Sequence, residues 1–420
     1  MTEPPSTTTL GLPRPPAQRS AVPAFIVMDV ISAAARREAA GADVIHMEVG
    51  QPGTGAPKIV REAVKRLIDT DTLGYSEGLG RPALRERIAR YYKDLHGVTV
   101  GPERVIVTTG SSAAFVLAFL ALFDAGDRVI LPSPGYPCYR HILSALGVES
   151  LIVETGPEQR WMPTPDQIDR TVLAQRRNIP KGKRTAADVE RVGQVGVAGM
   201  LVASPSNPTG TMLEPHRLEA LVQTCRNWRM WFISDEIYHG LTYTMPAATA
   251  LAYGDDVIVI NSFSKYYSMT GWRIGWMVVP PGLVRTIERL AQNLYICAPA
   301  IAQAAALAAF DANDELQANC AVYRANRDLL LAELPKAGLT EIVPADGAFY
   351  LYVDVSRFTD DARAFTQLML EETGIAATPG VDFDDARGAR FVRFSYSGKT
   401  ESMAEAARRL AGWSRLQPKS

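Results

Sequence analysis

The chain has 420 residues, too many for one small module and enough for two or three domains. Lys and Arg number 44 against 45 Asp and Glu, a net charge of −1 that excludes the basic surplus of nucleic-acid or electrostatic membrane binders. With 47% apolar and 21% charged residues the composition is that of a soluble globular protein, so function must be sought in local motifs.

Residues 1–20 are rich in Pro and Thr, lack the apolar block of a signal peptide and read as a mobile arm, which points to the cytoplasm. From about Val105 to Val279, short Val- and Ile-rich runs bounded by Gly, Pro or Asp alternate with amphipathic stretches. Seven strands are predicted, at 104–109, 127–132, 149–154, 197–203, 230–235, 256–262 and 273–279. The longest apolar run, Ala113–Phe123, is about half the length needed to cross a bilayer and reads as a buried helix; Pro215–Arg229 reads as an amphipathic one. This alternation predicts an α/β fold: a large domain over 59–310 with a mostly parallel seven-stranded sheet flanked by helices.

The stretch 176–194 is polar and locally basic and reads as a solvated insertion without an assigned role. Ala300–Leu334, free of Gly and Pro, predicts one long helix. Weaker strands at 347–355 and 389–397 follow, with helical stretches around 361–372 and 401–414. A smaller α+β domain built from both termini, 21–58 and 311–420, is expected. Cys138, Cys225, Cys297 and Cys320 lack the paired spacing of a disulfide framework or a zinc site and read as free thiols, with no metal expected.

Open parallel sheets bind ligands beyond the carboxyl ends of their strands, so the residues there carry the functional reading. Gly110-Ser111-Ser112 opens the apolar helix, where backbone amides favour a phosphate, although a Ser-Ser cap is common for structural reasons. Ser262, Ser264 and Lys265 end the sixth strand, with Arg273 eight residues beyond; hydroxyls and a guanidinium beside a lysine suit a phosphate near a reactive amine. Asp235 leaves a buried strand, which is costly without a cation, and a pyridinium nitrogen would be such a partner. Asn207-Pro208-Thr209-Gly210 is by itself simply a good turn.

Together these stretches resemble a known family. VGQP (49–52), YSEGLGRPALR (75–85), TTGSSAA (108–114), PSPGYPCY (132–139), SPSNPTG (204–210), SDEIY (234–238), SFSKYYSMTGWRIGW (262–276), GAFY (347–350) and FVRFSYS (391–397) are similar to those of fold-type I pyridoxal-phosphate aminotransferases, class I/II. The resemblance spans about residues 21–415. It implies that Lys265 forms a Schiff base with pyridoxal 5'-phosphate and later shuttles the substrate proton. Asp235 would keep the pyridine nitrogen protonated, and Asn207 and Tyr238 would bond the ring's phenolate oxygen. Arg273, Ser262, Ser264 and the amides near Ser111 and Ser112 would clamp the phosphate. Tyr136 would stack on the ring or serve as a core aromatic; the residues leave both open. Arg393, helped by Gly50 and Asn207, would bind the substrate α-carboxylate. Tyr75 would reach the phosphate of a neighbouring subunit, which implies a homodimer with shared active sites.

Family members that take aspartate or prephenate often carry lysine where this chain has Ser112, and another near the N-terminal segment; AVPAFIVMD (21–29) has none. A dicarboxylic donor would therefore need another cation, such as an arginine elsewhere. The leading expectation is transfer of an α-amino group from an amino acid to a 2-oxo acid, ping-pong through pyridoxamine phosphate. The alternative is a C–S β-lyase using the same lysine. A sensor built on an aminotransferase-like domain is disfavoured, since twenty preceding residues are too few for a helix-turn-helix.

Overall fold

The computed structural model describes residues 14–177 and 196–416. Its main element is a seven-stranded sheet: β2 (Val105–Thr108), β3 (Arg128–Ser133), β4 (Glu149–Glu154), β5 (Gly199–Ala203), β6 (Trp231–Asp235), β7 (Ile258–Ser262) and β8 (Gly275–Val278). The spatial order is β2-β8-β7-β6-β5-β3-β4. Only β8 is reversed, pairing antiparallel with both β2 and β7. The other neighbours pair parallel. This is the mostly parallel α/β sheet expected from the strand rhythm.

The sheet is covered on both faces, which explains why its strands read as continuous apolar runs rather than alternating ones. Successive side chains nevertheless point to opposite faces. Val105, Val107, Met200, Val202, Trp276 and Val278 enter one core, with the helices Lys58–Thr70, Pro82–His96 and Ala300–Ala309. Ile106, Leu201, Ile233 and Met277 enter the other, against the apolar helix Gly110–Leu122.

A third core holds the C-terminal elements. Here β9 (Tyr350–Asp354), β11 (Thr378–Pro379) and β12 (Phe391–Ser395) form an antiparallel sheet, order β11-β12-β9. The N-terminal β1 (Ile45–His46) pairs parallel with β10 (Ile375–Ala376), so both ends of the chain meet in one layer.

The single helix expected over Ala300–Leu334 is two helices, Ala300–Ala309 and Asn313–Glu333, separated at Phe310-Asp311-Ala312. Phe310 turns into an aromatic nest, 5.4 Å from Phe263 and 5.3 Å from Tyr267, with Arg87 over its ring. Asp311, Asn313 and Asp314 prefer helix ends to helix interiors, and no Gly or Pro advertises the break. Residues 178–194 of the polar stretch and 1–13 of the arm lie outside the described residues. Among those described, all four cysteines are free, and no helix is long and apolar enough to cross a membrane.

Candidate active site

The carboxyl ends of the parallel strands converge on one edge of the sheet. Because β8 runs the other way, Arg273, two residues before its start, arrives at that same edge. A cavity of about 240 Å³ opens there. From the sheet, Ser111, Ser112, Asn207, Asp235, Ser264 and Lys265 line it; Arg273, Tyr136 and Tyr238 join them, and the C-terminal layer adds Arg393. Gly50, from the N-terminal segment, also lines it. The structure brings eleven of the expected site residues to one cavity.

Two expected residues stand apart. Ser262 is buried behind the wall, its hydroxyl 2.9 Å from that of Ser264 and 3.0 Å from the Ile274 carbonyl, so it buttresses Ser264 and does not itself line the cavity. Tyr75 is 83% exposed and lies outside the cavity.

Lys265 sits partly buried between charges of both signs. Its Nζ donates to the Gly50 carbonyl at 2.6 Å. Removal from water, then the positive charges of Arg393 and Arg273, pull its pKa down to about 8, with Asp235 acting in the opposite sense. An amine so placed is a nucleophile and proton carrier near neutral pH.

Asp235 ends β6 at 3% exposure. Burial pushes its carboxyl up to about 6, although the Tyr139 hydroxyl, the Ile237 amide at 3.1 Å and the charge of Lys265 all favour the ionised form. A buried acid with too little compensation is what a cationic ring nitrogen would complete.

The helix Gly110–Leu122 begins without any side-chain cap, so its first amides remain available to an anion. Gly110 has φ +76°, and a Cβ there would meet Arg273 Nη2 at 2.5 Å; the glycine lets the guanidinium lie against the helix start. Arg273 itself holds φ 51°, a left-handed conformation that costs a non-glycine residue about 1–2 kcal/mol and recurs at functional sites. Uncapped amides, Ser264 and Arg273 together make a cradle that fits a phosphate.

Arg393, on β12 and 3% exposed, is held from several sides. It donates to Asn207 Oδ1 at 2.8 Å, to the Glu48 carbonyl and to Thr378 Oγ1 at 3.3 Å. Its Nε is buried without a partner. A fixed guanidinium with an unsatisfied donor fits a carboxylate. Asn207 gives its carbonyl oxygen to Arg393, which leaves its amide nitrogen to donate elsewhere.

Tyr136 touches Phe25 and Tyr139 edge-on, at 5.9 and 5.3 Å between centroids. It is therefore at once a cavity wall and part of an aromatic cluster. Sequence reasoning missed Tyr139, whose hydroxyl bonds Asp235, and Tyr350, which lies beneath Arg393. It also missed the apolar wall: Phe25, Val27, Met28 and Ile31, from the start of the helix Ile26–Ala39, face the cavity. Their signal was the run AFIVM, which only an amphipathic reading of 25–31 would have singled out.

The comparisons agree with this geometry. Residues 42–410 match the family model described as aminotransferase class I and II. A valine–pyruvate aminotransferase of Mycobacterium tuberculosis is 46% identical, over 94% of this chain and 98% of its own. The crystal structure of an aminotransferase from Mycobacterium tuberculosis superposes with a TM-score of 0.88 at 45% identity, covering 95% of this chain and 99% of the other. An aspartate aminotransferase of Thermus thermophilus, solved with maleate, gives 0.85 at 30% identity over the same shares. The chain belongs to the class I and II aminotransferases.

Proposed function

We propose that this aminotransferase works with pyridoxal 5'-phosphate and prefers amino acids with an apolar side chain, passing the amino group to a small 2-oxo acid by a ping-pong cycle. The observation that carries the preference is the lining of the cavity. Beyond Lys265, Arg273 and Arg393, no cation among the described residues lines it, and Phe25, Val27, Met28 and Ile31 give it an apolar wall. Burying an aliphatic side chain there contributes about 1.5–3 kcal/mol, whereas a second carboxylate would be desolvated without a partner. The relative named valine–pyruvate aminotransferase supports the same substrate class.

When bound, the cofactor accepts the electrons left on the substrate carbon after its α-proton departs. The protein's residues do the rest. Arg393 takes the α-carboxylate and fixes the substrate's orientation; Gly50 gives that carboxylate a backbone contact. Lys265 holds the cofactor and moves the α-proton, a task suited to an amine with a pKa of about 8. Asp235 would pair with the ring nitrogen, and Tyr139 orients Asp235. Asn207 and Tyr238 would donate to the phenolate oxygen, Tyr136 would cover a ring face, and the Gly110–Ser112 amides, Ser264 and Arg273 would hold the phosphate, with Ser262 supporting Ser264.

We further propose a division into a large domain, 59–310, and a small one from 21–58 and 311–420, assembled as a homodimer whose Tyr75 completes the neighbour's site. Four free cysteines fit a reducing, cytoplasmic location. No observation favours the C–S lyase reading.

The test is a comparison of kcat/KM for valine and aspartate with pyruvate as acceptor. Valine should lead by about 100-fold or more. A preference for aspartate would overturn the apolar reading and require a cation from beyond the described lining of the cavity. Release of pyruvate and ammonia from cysteine-like compounds as the main reaction would install the lyase in its place.

A further inference from the structure

Tyr350, the first residue of β9, is fully buried and touches three parts of the site at once. Its hydroxyl lies 2.8 Å from that of Tyr238. Its ring face lies under Arg393, 4.4 Å from the guanidinium carbon, and the Phe383 ring lies 4.7 Å from the same carbon. Its hydroxyl also abuts the backbone of Gly50, where a Cβ would overlap it, and the Gly50 carbonyl is the acceptor for Lys265.

This placement is held by the backbone before it. Ala348 has φ 58°, and its carbonyl accepts from Tyr243 at 2.5 Å and Tyr396 at 3.5 Å. The Ala348 amide donates to Leu241, three residues past Tyr238, and the Gly347 amide donates to Gly210 of the Asn207–Gly210 turn, both at 2.8 Å. A left-handed alanine persists only where its surroundings over-determine it. Here they lock the Tyr350 segment to the two loops that carry Tyr238 and Asn207.

We propose that Tyr350 is a positioning residue that couples Arg393 to Tyr238: its ring fixes the guanidinium, and its hydroxyl donates to Tyr238 Oη, so that the Tyr238 proton points into the cavity. The direction follows from the cation on the Tyr350 ring, which withdraws electron density and makes this phenol the better donor of the two. Burial raises both phenols and the charge of Arg393 opposes the rise at both, but the closer cation sits on Tyr350, 4.4 Å from its ring against 6.0 Å from Lys265 to the Tyr238 ring. A Tyr238 that receives a hydrogen bond is in turn a stronger donor to whatever it faces.

The proposal rests on the pyridoxal-phosphate reading of the site, and one pair of variants separates the two. In Tyr350→Phe the ring stays and the hydroxyl goes. With Tyr238 a weaker donor to the cofactor's phenolate oxygen, the pH midpoint of the bound cofactor's visible absorbance should rise by about half to one unit. In Tyr350→Leu the ring goes too, and the dissociation constant of 3-methylbutanoate, a carboxylate without an amino group to transfer, should rise about tenfold relative to Tyr350→Phe. A Phe variant that titrates like the parent, or a Leu variant that binds the carboxylate as the Phe variant does, would overturn the coupling alone. A parent protein that takes up no cofactor would overturn the site reading and the proposal with it.

Discussion

At the scale of single residues, the two acids that end β6 have different fates. Asp235 faces the cavity, whereas Glu236 turns inward, where one oxygen accepts from Ser234, Thr249 and the Ala250 amide. Burial drives Glu236 up to about 8, so it is largely neutral at pH 7 and leaves Asp235 as the charge available to a ring nitrogen. A carboxyl whose folded pKa exceeds its unfolded value holds its proton more tightly when folded. Stability is therefore lost as pH rises from about 4 toward 6 for Asp235 and from 4.5 toward 8 for Glu236. Glu236→Gln should raise the melting stability of cofactor-free protein at pH 8 by about 1–3 kcal/mol and retain the cofactor. Asp235→Asn should also stabilise the cofactor-free protein above pH 6 yet weaken cofactor binding at least about tenfold, measured by dialysis and absorbance. If the two variants behave alike, Asp235 has no special partner. Lysine, arginine and aspartate at strand ends were legible in the sequence because charge there is costly without a use. Tyr139 and Tyr350 were not, because a phenol inside PCYRH or YLYVD looks the same as a core aromatic.

At the scale of elements, the sheet was readable and its companions less so. Val- and Ile-rich runs between breakers located all seven strands, since burial on both faces leaves a strong apolar signal. The break at Phe310 escaped because the aromatic nest that causes it comes from residues far apart in sequence. The N-terminal segment was read for the lysine it lacks, while the wall it builds depends on how its helix docks. That docking is specified by Asp382, whose carboxylate accepts from the Ile26 and Val27 amides at 3.1 and 3.3 Å and caps the helix across the fold. Asp382→Ala leaves these amides without an acceptor, a loss of about 1 kcal/mol. The expected outcome is a KM for valine raised about three- to tenfold, with cofactor affinity little changed. A loss confined to cofactor binding would show that this helix does not form the substrate wall.

For the whole molecule, the site exists because two layers meet. The sheet edge supplies Lys265, Asp235, Ser264 and Arg273, and the C-terminal layer, joined by β1, supplies Arg393. Tyr75, with most of its ring in solvent, has no task in the isolated chain. In the proposed homodimer it reaches the neighbouring site. Light scattering should give twice the chain mass, and Tyr75→Ala should loosen the cofactor several-fold without altering that mass. A monomer with full activity would contradict the shared-site proposal.

The most direct measurement is a single half-reaction followed by absorbance. Purified protein loaded with pyridoxal 5'-phosphate is mixed with one equivalent of valine, and Lys265→Ala is treated in parallel. The visible band of the parent should convert to the pyridoxamine form with release of the 2-oxo acid, and the variant should lack both the band and the conversion. A Lys265→Ala protein that turns over like the parent, or a parent that never acquires the band, would contradict it.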